Sequence, residues 1–244
     1  MLIFLIPVYN EEENLQDLLK NISNFVNKEN YGCKLVFIND GSTDKTRIIL
    51  DGFKSEINIK IIDQIPRRGA GEAFRKGFLY VSQVCNNDDT VITMEGDNTS
   101  DLGILKEMME RIDRTDDVVL ASCYAKKGRV EGTDIFRRIL SAGANFILKT
   151  VFPIKGIHTY SSFYRAYKGS IIKRAINVYK EDLIKEKGFA CMVELLIKLY
   201  KLGISIGEVP MVLKCKARKD KSKMKIVKTI FGYLRVIGKN ISRF

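Results

Sequence analysis

The sequence predicts an α/β fold in which a Rossmann-like, mostly parallel central sheet is flanked by helices. Short apolar runs alternate with amphipathic segments through the first half of the chain, and each run ends in a loop rich in acidic, amide, glycine or basic residues. The C-terminus differs in kind, because apolar residues at helical spacing are set there among many lysines and arginines.

Taken in order, Leu2–Val8 is a buried strand, and residues 14–25 place Leu15, Leu18, Leu19, Ile22 and Phe25 at helical spacing. Residues 35–38 form a second strand ending in Asn39-Asp40-Gly41-Ser42, and 46–53 continue as a helix. A strand at 57–62 and a helix at 71–84 repeat the unit. The fourth strand, 91–94, runs into Glu95-Gly96-Asp97, and a helix at 102–112 and a strand at 118–121 follow. Alternation of this kind puts helices on both faces of the sheet and a ligand beyond the carboxyl ends of its strands. The loops that converge there begin at Pro7, Asn39, Asp63 and Glu95. Beyond Tyr124 the pattern reads as helical, most clearly at 135–152 and 189–202.

At 244 residues and 45% hydrophobic content the chain is sized for one domain with a substantial core, assigned to residues 1–213 with a tail at 214–244. No apolar run reaches the ~18 to 20 residues that span a bilayer. The start, cut by Pro7, lacks the regions of a secretory signal, so a cytoplasmic location is expected. Five scattered cysteines without a Cys-x-x-Cys pair argue for reduced thiols and against disulfides or zinc. His158 is the only histidine and has no nucleophile motif beside it, which argues against a histidine triad.

The formal net charge of +12 belongs to the tail, where residues 214–244 hold eleven Lys or Arg against one acid, Asp220. Within it Ile226, Ile230, Tyr233, Leu234 and Ile237 fall on one side of a helix, with Lys225, Lys228, Arg235 and Lys239 on the other. A basic amphipathic helix of this kind suits an anionic membrane surface.

Four strand-end motifs have chemistry to offer. In Pro7-Val8-Tyr9-Asn10-Glu11, Tyr9 can stack on a nucleobase and Glu11 can accept hydrogen bonds from base or ribose; the same residues also read as a plain helix start. Asp40 is a second acceptor, although Asn-Asp-Gly-Ser is equally strong turn chemistry. The carboxylates Glu95 and Asp97, two apart at the end of a buried strand, suit a hard cation completed by waters and a diphosphate, while Asn98 to Asp101 cap the next helix. Arg67-Arg68-Gly69-Ala70-Gly71-Glu72 can bring arginine charge and helix amides to a phosphate. It lacks the full dinucleotide fingerprint and the Gly-Lys-Ser/Thr of a phosphate loop, so neither an NAD enzyme nor an ATPase is favoured.

In this order the motifs resemble glycosyltransferase family 2, and within it the polyprenyl-phosphate sugar synthases typified by dolichol-phosphate mannose synthase. The resemblance runs through Pro7 to Glu11, Asn39 to Asp44, Gly69 to Gly77, Met94 to Asp97, Phe136-Arg137-Arg138 with Ser141, Glu208-Val209-Pro210, and Arg218 with Ser222-Lys223. It implies a GT-A fold, a nucleoside-diphosphate sugar donor, Mn²⁺ or Mg²⁺, and inversion at the anomeric carbon. It further implies that residues 1–123 bind the nucleotide sugar and 124–213 the acceptor. Pro7, Tyr9, Glu11 and Asp40 would hold the nucleoside, and Glu95 and Asp97 the metal and diphosphate. Arg137 and Ser141 would face an acceptor phosphate, and Arg218 and Lys223 the phosphates of donor or acceptor. Asp97, Arg137 and Arg218 would then be catalytic. The sequence departs from the family at Glu95, where Asp is usual, and at Thr99, where the lipid-phosphate enzymes commonly have Gln. Cys123 replaces an Arg of the Ser-Arg-Tyr block, and residues 159–163 lack the Asp that precedes Ser-Gly-Phe.

The leading expectation is therefore sugar transfer to a polyprenyl phosphate by a protein held peripherally on the cytoplasmic face of a membrane. A saccharide hydroxyl is the alternative acceptor; it needs a carboxylate base, for which Glu194 is the candidate. A more distant alternative is a noncatalytic sugar-nucleotide binder with a nucleic-acid-binding tail, disfavoured because the tail has few aromatics for stacking.

Overall fold

The computed structural model describes residues 1–53, 57–220 and 223–241. Lys221 and Arg243 of the basic tail, and Ser222 of the Arg218 block, lie outside the described residues. A seven-stranded sheet has the order β3-β2-β1-β4-β7-β5-β8. Its strands are β1 (Leu2–Val8), β2 (Cys33–Asn39), β3 (Ile59–Asp63), β4 (Thr90–Thr93), β5 (Val118–Ser122), β7 (Arg165–Lys168) and β8 (Ile206–Pro210). A two-stranded ribbon pairs β6 (Arg129–Glu131) with β9 (Val212–Lys214). The helices are α1 (Glu12–Lys28), α2 (Thr46–Gly52), α3 (Ala70–Val84), α4 (Leu105–Arg114), α5 (Ile135–Val151), α6 (Gly169–Tyr179), α7 (Cys191–Lys201) and α8 (Ile226–Asn240).

The central strands are apolar at nearly every position because both faces are covered. On β1, Ile3 and Leu5 join a core with Phe74 and Phe78 of α3 and Leu195 and Leu196 of α7. Leu2, Phe4, Ile6 and Val8 turn the other way, onto Leu15, Leu18 and Leu19 of α1 and Met108 of α4. Strands β1, β2, β3 and β4 are parallel, as expected.

The second half of the chain departs from the helical expectation by supplying two strands to the main sheet. β7 inserts between β4 and β5 and runs antiparallel to both, and β8 pairs parallel to β5 at the edge. Neither strand has a legible apolar pattern. Arg165-Ala-Tyr-Lys168 carries a guanidinium that is fully buried, and Gly207-Glu208 interrupts β8. The Arg165 charge is held by carbonyls instead of a carboxylate: Nε donates to Ser162 O (2.7 Å), and Nη2 to Tyr160 O (3.0 Å) and Met192 O (2.9 Å).

The glycines opening α3 serve packing. A Cβ on Gly71 would stand 1.7 Å from Glu186 O, and the Gly71 amide donates to Lys187 O at 2.9 Å, so the chain at 186–187 seals this helix end. The helix amides anticipated for a phosphate are thus partly spent on protein carbonyls. Gly71→Ala forces the two backbones apart, and urea denaturation is expected to show a loss of about 1–3 kcal/mol, typical of overpacking.

Candidate active site

Nine of the positions that the family resemblance singles out, and Ser141 with them, line one cleft of about 960 Å³ at the carboxyl edge of the parallel strands. They are Pro7, Tyr9, Glu11, Asp40, Glu95, Asp97, Arg137, Arg218 and Lys223. Glu194 is not among the lining residues: its carboxylate accepts from the Lys185 and Glu186 amides (2.8 Å each) and from Lys198 Nζ (2.6 Å), tying α7 to the preceding loop.

The first two motifs are laced together because β1 and β2 pair in parallel with Val8 beside Asn39. The Asn10 amide donates to Ser42 Oγ (3.0 Å), Thr43 N to Asn10 Oδ1 (2.8 Å), Glu11 N to Thr46 Oγ1 (2.8 Å) and Lys45 N to Glu12 Oε2 (2.9 Å). Asn10 adopts a positive φ of 52°, which asparagine tolerates better than most residues. The motif thus leads into α1 while Pro7, Tyr9 and Glu11 line the cleft.

Asp40, 3% exposed, organises the β3–α3 loop: it accepts from Gln64 Nε2 (2.6 Å), Arg68 N (2.7 Å) and Gly69 N (2.9 Å). That loop lays the Arg67 guanidinium 3.5 Å from the centre of the Tyr9 ring. Gly41, at φ +70°, lets it approach, since a Cβ there would meet Arg67 N at 3.0 Å. One face of the Tyr9 ring is thus covered by a stacked cation, while Tyr9 still lines the cleft.

At the end of β4, a Cβ on Gly96 would lie 2.8 Å from Val8 Cγ1, so glycine allows Glu95 and Asp97 to press against the β1 loop. Asp97 Oδ1 accepts from Thr99 N (3.1 Å) and Thr99 Oγ1 (2.6 Å), which gives the unusual Thr99 a defined task. Asp97 Oδ2 is paired with Arg218. Glu11 is paired with Lys223 Nζ at 2.7 Å and receives Asn14 Nδ2 at 2.8 Å. Burial pushes the Glu11 carboxyl above the usual range, with Lys223 opposing. Burial likewise raises Glu95, against the pull of Arg218 and with help from the Glu11 charge.

The far wall comes from α5 and its surroundings. Asp134 caps α5 by accepting from the Arg137 amide (2.8 Å), and its carboxylate lies 3.4 Å from Arg137 Nε. Tyr124 donates its hydroxyl to Ser141 Oγ at 2.8 Å. Arg138 and Arg129 line the same wall, with Arg129 paired to Glu131 at 2.6 Å. Burial pushes the Cys123 thiol up to about 11, which keeps it protonated at neutral pH. His158 lies outside the cleft, where Glu208 accepts from its amide (2.7 Å) and from the Thr159 amide (2.6 Å), giving the Glu208-Val209-Pro210 block a structural task.

The donor set fits a hard cation. Glu95 and Asp97 offer oxygen only, and Asp97 already holds a positive group. Among the described residues no cage of three or more His, Cys, Asp or Glu is assembled. Mg²⁺-type ions are commonly held by one or two carboxylates with water and phosphate completing the shell.

Because the Glu95 carboxyl is raised in the fold, the protonated form is favoured on folding. Stability from this group is complete below its ordinary range and is lost as pH climbs through the raised value. Glu95→Gln is therefore expected to melt higher than the unaltered chain at about pH 7–8 without metal, with the difference closing towards about pH 4. Thermal melts across that range check it.

The sequence profile of glycosyl transferase family 2 matches residues 3–175. The dolichol-phosphate mannosyltransferase of Pyrococcus furiosus is 30% identical over 235 residues, 96% of this chain and 61% of that protein. The undecaprenyl-phosphate mannosyltransferase of Micrococcus luteus is 25% identical over 207 residues, 84% of this chain and 80% of the relative. This chain therefore spans about 61% of the length of the Pyrococcus relative. In fold it is similar to glucosyl-3-phosphoglycerate synthase of Mycobacterium tuberculosis, solved with Mn²⁺, UDP and glucosyl-3-phosphoglycerate, with a TM-score of 0.66 at 17% identity over 100% of this chain and 79% of that one. With the profile covering most of its length and a mostly parallel GT-A fold beneath it, the chain belongs to glycosyl transferase family 2.

Proposed function

We propose that the protein is an inverting, metal-dependent glycosyltransferase that moves a sugar from a nucleoside diphosphate to a polyprenyl phosphate at a membrane surface. The observation that carries this is one cleft with two chemically different ends. Carboxylates Glu11, Asp40, Glu95 and Asp97 stand at the strand ends, and Arg137, Arg138 and Ser141 stand on a helix whose outer side is apolar and exposed. Similarity to lipid-phosphate mannosyltransferases supports the same acceptor class.

In this reading Pro7, Tyr9, Glu11 and Asp40 hold the nucleoside, and Glu95 and Asp97 hold Mg²⁺ or Mn²⁺ with the diphosphate. The cation, when bound, supplies Lewis-acid neutralisation of the leaving diphosphate. Arg137 and Ser141 orient the acceptor phosphate, while Arg218 and Lys223 bring positive charge to the phosphates in transit. A phosphate monoester is already anionic at neutral pH and attacks without a base. That agrees with Glu194 being committed to Lys198 and backbone amides instead of facing the cleft. A saccharide hydroxyl would need a base from elsewhere.

No described helix is long and apolar enough to cross a membrane. Helices α5 and α8 pack together, and between them they expose Ile135, Phe136, Ile139, Phe146 and Ile147 with Val227, Ile230, Phe231 and Leu234. The amphipathic stripe expected of α8 is divided. Thr229, Gly232 and Val236 are buried, Tyr233 and Ile237 pack on the core, and Ile230 and Leu234 face outward. Its polar side is likewise shared, since Arg235 and Lys239 reach Glu186 at 2.8 and 3.5 Å. Basic side chains near anionic lipid contribute roughly 1 kcal/mol each, enough for reversible docking when joined to such an apolar face.

Two measurements test the reading. In a thermal-shift panel of UDP-, GDP- and dTDP-sugars with Mn²⁺, one nucleotide is expected to raise the midpoint by several degrees, about 2–3 kcal/mol at a hundredfold excess over Kd, and Asp97→Asn to abolish the response. An identical response from the variant defeats the donor site. In sedimentation with anionic vesicles at physiological salt, Phe146→Ser with Phe231→Ser is expected to weaken binding about tenfold or more, given the apolar area removed. Unchanged binding removes α5 and α8 as the docking face.

A further inference from the structure

Between α5 and β7 the chain runs through residues 157–164 without helix or strand, and this stretch supplies Thr159, Ser161, Ser162 and Phe163 to the cleft. Most of it is buried, so amides and carbonyls that no ladder satisfies need partners from other elements. Two buried charges hold it. Glu208 of β8 accepts from the amides of His158 (2.7 Å) and Thr159 (2.6 Å), and Arg165 of β7 donates to the carbonyls of Tyr160 (3.0 Å) and Ser162 (2.7 Å). The anion takes N–H groups and the cation takes carbonyls, the sense in which each charge strengthens its hydrogen bonds. Between them Asn145 of α5 accepts from the Tyr160 amide (3.0 Å) and donates to the His158 carbonyl, and Thr93 of β4 donates to the Phe163 carbonyl (2.7 Å).

We infer that Arg165 and Glu208 are positioning residues for the acceptor side of the cleft, acting through the stretch from Thr159 to Phe163. The inference rests on the proposal that this side takes a phosphate acceptor. Neither residue lines the cleft, so both act through the backbone they hold. The stretch is continuous with the wall that carries Ser141: Thr159 Oγ1 lies 2.6 Å from Ser122 Oγ and accepts from the Tyr124 amide (3.4 Å), and the Tyr124 hydroxyl donates to Ser141. Arg165 also donates to Met192 O (2.9 Å), close in sequence to Phe189, whose ring meets that of Phe163 edge-on at 5.4 Å. None of these bonds reaches Glu11, Asp40, Glu95 or Asp97 at the carboxylate end. A guanidinium suits the task because its N–H donors lie in one rigid fork, which sets the direction as well as the distance of three carbonyls. An apolar residue would escape the cost of burying a charge and would leave those carbonyls without a donor.

The test measures initial rates with undecaprenyl phosphate as acceptor and the sugar nucleotide selected by the thermal-shift panel, each varied with the other saturating. Arg165→Lys keeps the charge without the fork, and is expected to lower kcat/KM for the acceptor about tenfold or more while KM for the donor stays within about threefold. Glu208→Ala is expected to do the same, and Glu208→Gln, which keeps an oxygen for the two amides, to remain within about threefold of the unaltered chain for both substrates. Circular dichroism melts establish which variants fold, and either Arg165→Lys or Glu208→Ala carries the test alone. Equal losses toward donor and acceptor, or no loss, overturn the inference. So does failure of both variants to fold, which assigns the pair to stability. If the unaltered chain binds nucleotide and Mn²⁺ but transfers no sugar to undecaprenyl phosphate, the acceptor reading falls and takes the inference with it. If transfer proceeds and the variants spare the acceptor, the positioning role alone falls.

Discussion

Parallel pairing of β1 with β2 on one side and β4 on the other is the constraint on which the site depends. The register sets Val8 beside Asn39 and Leu5 beside Thr93, so three chain segments leave the sheet at one edge within a few ångströms of each other. A slip of a single residue in either pairing would turn the apolar side chains of β1 to the wrong layer, and both layers are buried and apolar. The hydrophobic cores thereby fix the mutual positions of Glu11, Asp40 and Glu95 without any contact among those residues being required. Small residues then tighten the edge: Gly96 admits Val8, and Gly41 admits Arg67.

What the register assembles is a set of acids in a poorly solvated place, and the rest of the site answers that charge. Burial raises Glu11 and Glu95, and cations from two other parts of the chain lie beside them or nearby: Arg67 over Tyr9, Arg218 at Asp97 and Lys223 at Glu11. Uncompensated, such a cluster would be costly to fold. Its compensation comes from side chains at the mouth, not from the core. Structural carboxylates are handled differently. Glu194 and Glu208 are satisfied largely by backbone amides that no ligand displaces.

The first half of the fold was legible because β1 to β5 and α1, α3 and α4 carry apolar patterns that match their burial. That Pro7, Glu11, Asp40, Glu95 and Asp97 line one cleft was legible for a related reason, since polar motifs at the ends of consecutive parallel strands must converge. β7 was hidden because its buried Arg165 reads as a surface residue, whereas the fold brings the carbonyls of Ser162, Tyr160 and Met192 to it and makes the burial tolerable. Glu194 was misleading for the converse reason: an acid on an otherwise apolar helix looks reserved for chemistry, whereas its role is to accept two amides and a lysine. The covering of Tyr9 by Arg67 depends on the turn geometry of residues 64–69, to which hydrophobic periodicity is blind.

The position of β7 bears on how the chain comes together during synthesis. β4 finds its second neighbour only in residues 165–168, some seventy residues after it has been made, and β5 reaches the sheet only through that same strand. Until then the β1–β4 layer has an open apolar edge, the kind of surface that pairs with other chains when left waiting. The ribosome must therefore deliver residues 165–168 before the β1–β4 layer is protected, and the strand-end edge of the cleft cannot mature ahead of the wall that faces it.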